Sequence, residues 1–148
     1  MKQVFTAIAG ALILGGAVVS AHIMVSPPQS KPGATQGYEL RVHNEGKIAT
    51  TALELDIPKD ITVLAIEAPP AGKVEPRKVG DRIVAFTWTV TVDPGKYLAL
   101  KFSAQNPAAE TQVTWNVRQH LADGSTVEWS DRPGAAEHAA VTKISAAP

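Results

Sequence analysis

The 148-residue sequence predicts an all-β domain, an antiparallel β-sandwich of about seven to nine strands. Short runs of apolar and polar residues alternate with period two between turns rich in Gly, Pro, Asn and Asp, the signature of half-buried strands. No segment beyond residue 21 carries the i, i+3, i+4, i+7 spacing of an amphipathic helix. There is no cysteine, so the domain has to stand on its hydrophobic core without disulfides.

The chain opens on Met1-Lys2, then an uncharged and mostly apolar run from Val4 to Val19, with small Val19 and Ala21 at the positions a signal peptidase reads. This predicts a helical signal peptide over 1–21, cleaved after Ala21, and one domain over 22–148. The run is shorter than the ~20 residues a bilayer requires and is diluted by glycine and alanine, which separates it from an anchor. No second run of spanning length follows, so the expectation is a periplasmic protein with no membrane span after processing.

Three prolines and a glycine between Ser26 and Gly33 predict an extended loop that ties the new N-terminus to the first full strand. Tyr38, Leu40 and Val42 alternate with Glu39, Arg41 and His43, and Asn44-Glu45-Gly46 ends that strand in a turn. Thr51 to Ile57 repeats the alternation with Leu53, Leu55 and Ile57 inward, and Pro58 stops it. A β-branched run covers Ile61 to Ile66, and Val74 to Arg77 reads as a short edge strand interrupted by Pro76. Arg82–Val92 places Phe86, Trp88, Val90 and Val92 on one face, and Asp93-Pro94-Gly95 turns it toward Tyr97–Ala104, which predicts a hairpin. Val113, Trp115 and Val117 form a further strand that Ala122-Asp123-Gly124 turns into Thr126–Trp129, a second expected hairpin. Val141 and Ile144 leave the tail open between a last strand and a frayed end.

The charge balance is even, 14 basic against 14 acidic, and loss of Lys2 with the leader takes one positive charge away. Nucleic acid is excluded as a partner, since phosphate binding needs a clustered positive field. Thiolate metal sites and redox cysteines are excluded by composition. No nucleophile stands with a base at motif spacing, and there is no glycine-rich phosphate loop or cysteine–histidine zinc pattern, so hydrolase and nucleotide roles lack support.

Cleavage after Ala21 would give His22 a free α-amine beside its imidazole. Two nitrogens on one residue bind one metal ion with little further ordering after the first contact. Copper(II) tops the divalent affinity order and accepts amine, imidazole and carboxylate donors in a tetragonal plane. The α-amine has a reference pKa of ~7.7 to 8.0, so its coordination depends on pH.

Several stretches resemble one known family. Ala21-His22-Ile23-Met24-Val25-Ser26-Pro27, then Gly37-Tyr38-Glu39-Leu40-Arg41-Val42-His43-Asn44-Glu45, Ala49-Thr50-Thr51 and Leu53-Glu54-Leu55-Asp56-Ile57-Pro58 are similar to the opening of YcnI-family domains. Phe102-Ser103-Ala104-Gln105-Asn106-Pro107, Thr114-Trp115-Asn116, Asp123-Gly124 and Val127-Glu128-Trp129 are similar to their second half. The resemblance implies an extracytoplasmic immunoglobulin-like or cupredoxin-like sandwich. It also implies copper(II) bound by a brace from the N-terminal histidine, completed by a carboxylate, with a tryptophan beside the ion. Residue by residue, these fall on His22, Glu45 and Trp129. The partners implied are the copper ion and other periplasmic copper-handling proteins, for which this chain would be a carrier or metallochaperone and not an enzyme.

Two positions depart from the family pattern. Pro69-Pro70-Ala71-Gly72-Lys73 stands where a Pro-Gly-Trp turn is usual, and His43 stands before Asn44 where proline is common. His43 and Glu45 share strand parity, so a second imidazole comes into reach if extended geometry persists to Glu45. Without the resemblance, Glu39, Glu54 and Glu128 are as eligible as Glu45, and Glu128, beside Trp129, is the next choice. Trp88 and Trp115 read as core, His120 and His138 as solvated, and Met24 as packing. Two alternatives stay open: an immunoglobulin-like interaction module without metal, and a copper-dependent oxidase, for which only His43 supplies the second imidazole.

Overall fold

A computed structural model describes residues 22–146, and the signal-peptide reading of 1–21 lies outside the described residues. Within them the chain forms β1 (His22–Ser26), β2 (Gln29–Ser30), β3 (Thr35–His43), β4 (Thr50–Asp56), β5 (Thr62–Ile66), β6 (Lys73–Val79), β7 (Arg82–Val92), β8 (Tyr97–Gln105), β9 (Thr111–Trp115), β10 (Val117–Leu121), β11 (Thr126–Trp129) and β12 (Ala140–Ile144). No helix occurs among the described residues, and so none is long and apolar enough to cross a membrane.

The strands make a four-stranded sheet in the order β1-β3-β8-β5, a five-stranded sheet β11-β10-β4-β7-β6 and a small sheet β2-β12-β9. All pairs are antiparallel except the two-residue pair of β2 with β12. The strand total exceeds the expected range because β2 lies in the proline-rich loop, β1 and β12 are true strands, and one predicted strand is split.

That split falls at Asn116. Its carbonyl accepts from the Asp56 N–H at 3.0 Å, and here the chain leaves the small sheet and enters the five-stranded one. Val113, Trp115 and Val117 are buried on both sides of the break. The second expected hairpin is therefore made by β10 and β11, with Val117 opposite Trp129.

The first expected hairpin does not form. β7 pairs with β4 and β6, and β8 pairs with β3 and β5. A strand has two hydrogen-bonding edges, and both are taken on β7 and on β8. Asp93-Pro94-Gly95 instead carries the chain from one sheet to the other, with Gly95 at φ 77°. The hairpin on this side of the fold is β6–β7, turned at Gly80. β6 runs through Pro76 without interruption, because an outermost strand tolerates a residue with no N–H.

Between the sheets lies an aromatic cluster centred on Phe102. Its ring meets Tyr38 of the same sheet at 5.4 Å, Phe86 of the facing sheet at 5.3 Å and Trp115 of the small sheet at 5.6 Å. Offset and edge contacts of this kind are favourable beyond their buried area. The Tyr38 hydroxyl donates to the Asn106 side chain, which in turn donates to Ser30 Oγ at 2.8 Å, so the buried phenol is satisfied. Burial pushes the Tyr38 phenol pKa up, against the smaller opposite pull of Ser30 and Asn106.

Candidate metal centre

β1 is amphipathic in the simplest way. Ile23 and Val25 are buried, so His22 and Met24 point to solvent. Register with the neighbouring strand sets His22 opposite His43 and Met24 opposite Arg41. On the far side of β3, His43 stands opposite Tyr97. Residues facing one another across an antiparallel pair keep their Cβ atoms about 4.5–5.5 Å apart on the same face. His22, Met24, Arg41, His43 and Tyr97 together line a shallow depression of about 240 Å³ at one corner of the four-stranded sheet.

Strand β3 ends at His43, but Glu45 stays beside it, with Oε1 3.4 Å from His43 Nδ1. Asn44 holds this turn. It is fully buried, its Nδ2 donates to the carbonyls of Ile48 at 2.9 Å and Val92 at 2.8 Å, and its Oδ1 accepts from the Gly46 N–H at 3.0 Å. Its main chain is bonded as well, donating to Lys96 O and accepting from Gly95 N. Asn44 thus clamps the β3–β4 turn to the β7–β8 turn, and Glu45 rides on the clamped segment. In the sequence Asn44 reads only as a turn residue.

The other carboxylates differ from Glu45 in their neighbours. Glu39 accepts from Arg41 at 3.0 Å, Glu54 from Arg118, and Glu128 from Arg132 at 3.0 Å. Glu128 sits in a network on the outer face of the five-stranded sheet, where it also accepts from Ser130 Oγ at 3.2 Å. Each is matched by an arginine that would compete with a cation. Glu45 has a histidine as its neighbour instead.

Trp129 is packed into the core at the outermost strand of the five-stranded sheet, with 6% of its surface exposed. Its Nε1 donates to Gln119 Oε1 at 3.2 Å, and Gln119 Nε2 donates to Thr50 Oγ1 at 2.8 Å. Thr50 opens β4, where the segment bearing Glu45 enters the sheet. Trp88 and Trp115 are core, as expected. His120 shares its Nδ1 with Thr126 Oγ1 at 3.2 Å, and His138 is exposed.

Met24 does not pack. It is 47% exposed and stands across from Arg41, with Tyr97 58% exposed on the same face. The parity of buried Ile23 and Val25 dictates this orientation.

Among the described residues no three side chains of His, Cys, Asp or Glu gather closely enough to hold a metal ion. Side chains alone therefore leave a site at this corner short of donors. A free α-amine on His22 would add one donor, and the amine and imidazole of one residue would need no further convergence of the fold. While Ala21 is attached, that nitrogen is an amide and a poor ligand.

The sequence is 33% identical over 144 residues to the copper-binding protein CutI of Bacillus subtilis (strain 168), spanning 95% of this chain and 71% of that one. The fold superposes on the crystal structure of an uncharacterized protein from Nocardia farcinica with an immunoglobulin-like fold. The TM-score is 0.71 at 25% identity, over 84% of this chain and 98% of that one. A non-cellulosomal cohesin from the archaeon Archaeoglobus fulgidus shares the fold at a TM-score of 0.54 and 13% identity, over 86% and 92% of the two chains. The domain is thus an immunoglobulin-like β-sandwich with a copper-binding relative. Residues 22–147 match the model of a domain of unknown function, DUF1775, and the chain belongs to that family, the YcnI family that its sequence resembles.

Proposed function

We propose that the protein is exported, is cut after Ala21, and carries copper(II) through the α-amine and imidazole of His22 with Glu45 as the carboxylate. The observation that carries this reading is the position of His22. It is the first residue of β1, faces solvent, and lies at the corner where the clamped turn presents the one candidate carboxylate without an arginine partner. Identity to a copper-binding relative over nearly the whole chain supports the choice of metal.

Copper is cargo in this reading, and the protein is a carrier rather than an enzyme. The corner is shallow and open, which suits an ion that has to be handed on. The place of Trp129 beside the ion rests on the family resemblance; its ring is packed in the core with the indole N–H donated to Gln119.

The test is copper(II) titration, followed by electron paramagnetic resonance, on a chain beginning at His22 and on one with a single extra residue ahead of it. Acylating the α-amine should lower the affinity by roughly a hundredfold or more, the scale on which a second tethered contact acts. Equal affinities and equal spectra from the two chains would dismiss the brace.

A further inference from the structure

We propose that β1 is the seam of a homodimer, in which the β1 strands of two copies pair antiparallel about a two-fold axis at Met24 and join their four-stranded sheets edge to edge. The dimer needs no metal. The outer strands of the two large sheets are β1 and β5 in one and β11 and β6 in the other. An outer strand offers unpaired N–H and C=O groups to any strand that meets it, and proteins that stay single blunt such edges.

Three of the four are blunted. β5 carries a bulge between Val63 and Ala65, and the carbonyls just past its ends, on Ile61 and Glu67, accept from Arg82 at 3.3 Å and from the Trp88 indole at 3.1 Å. β6 holds Pro76 among Lys73, Arg77 and Lys78. β11 is covered by the tail, where the Ser130 N–H donates to Glu137 O at 3.1 Å and the Glu137 N–H to Glu128 O at 3.3 Å. β1 is different, with register to β3 unbroken from His22 to Ser26 and no proline, lysine or carboxylate along it. Among the described residues, the hydrogen bonds from β12 to this part of the chain begin only past the end of β1, at the carbonyls of Pro27 and Pro28.

The occupant that fits is a second copy, because the pattern of the strand reads the same in both directions. Ile23 and Val25 are buried and His22 and Met24 exposed, so a pair centred on Met24 sets inward residues against inward ones at all five positions. His22 of each copy then faces Ser26 of the other, and Met24, 47% exposed, meets its own counterpart. Charge does not oppose this. Arg41 stands across from Met24 one strand in, so it would lie three strand spacings, about 14 Å, from its counterpart, beyond the ~8 Å screening length. Five paired residues make a small interface, and the dimer is accordingly weak.

The experiment follows the chain beginning at His22 by sedimentation equilibrium, in the presence of a chelator, between about 1 and 500 µM, the range in which a weak pair dissociates. Dimer should accumulate as concentration rises. Met24→Arg sets like charges face to face and should weaken the dimer by about tenfold or more, with circular dichroism and thermal melting showing the variant folded. Because the protein has no cysteine, a single introduced thiol reports its own neighbour. Met24→Cys should be oxidised by diamide to a disulfide-linked dimer roughly ten times faster than Leu64→Cys, an exposed position on the bulged β5. A monomer over the whole range, a dimer that folded Met24→Arg leaves as tight, or equal cross-linking of the two thiols overturns the proposal.

Discussion

On the outer face of the five-stranded sheet, Arg118 donates to Glu54 and Asp56, Arg77 approaches the same two carboxylates, and Arg132 bridges Asp56 and Glu128. On the outer face of the four-stranded sheet, one pair, Glu39 with Arg41, is closed in this way. The corner that Arg41 also lines holds His22, His43, Met24 and Tyr97, with Glu45 3.4 Å from His43. The first face has matched its charges internally, and adding a cation there would displace an arginine. The second face keeps imidazoles and a carboxylate whose neighbour is a histidine. A sandwich with two solvated faces can thus assign ordinary solubility to one and ligand chemistry to the other, even though both follow the same strand alternation.

The contrast can be tested by breaking it at different depths. Phe102 lies behind both faces and touches rings from all three sheets, so Phe102→Ala should lose about 3–5 kcal/mol in urea unfolding and take both faces with it. A loss under about 1 kcal/mol would mean that the sheets are not joined through this ring. Asn44→Ala should cost about 1–3 kcal/mol, because the carbonyls of Ile48 and, in the interior, Val92 lose their donor. Copper affinity should fall with it, since Glu45 is no longer held beside His43, while the arginine network is untouched.

Arg118→Met opens the other face and should cost about 1 kcal/mol, a difference that shrinks in high salt. Its copper affinity should equal wild type, and a drop would show that the two faces are coupled. The smallest effect belongs to the core between them. The Tyr38 pKa is raised in the folded protein above its reference of 10.0, so above that pH the unfolded chain loses the proton first. The Tyr38 contribution to stability should be flat with pH below 10.0 and decline above it, and Tyr38→Phe should remove that part of the slope in thermal melts.

Much of the fold was legible because alternation reports which side of a strand is buried. Leu53 and Leu55, or Phe86 and Trp88, needed nothing else. Pairing partners were less legible. Asp93-Pro94-Gly95 specifies a turn, but whether the strands after a turn join or diverge depends on distant strands competing for their edges, here β3, β4, β5 and β6. The change of sheet at Asn116 was hidden for a related reason, since Val113, Trp115 and Val117 keep their alternation through it. At the corner, His22 and Glu45 could be proposed from chemistry and family resemblance. The clamp made by Asn44 could not, because it depends on Val92, 48 positions away. The outward direction of Met24 follows from the buried Ile23 and Val25 beside it, whereas its residue type alone points to packing.

Because β1 begins at His22 and is bonded along its length to β3, an end produced there is stitched into the sheet from its first residue. Exopeptidases work on loose termini, which they draw into a cleft as a few extended residues. Here they would first have to unzip an outer strand and expose Ile23 and Val25. If the chain is cut after Ala21, as proposed, the pairing of β1 with β3 would shield the new terminus from further trimming and keep His22 at its head.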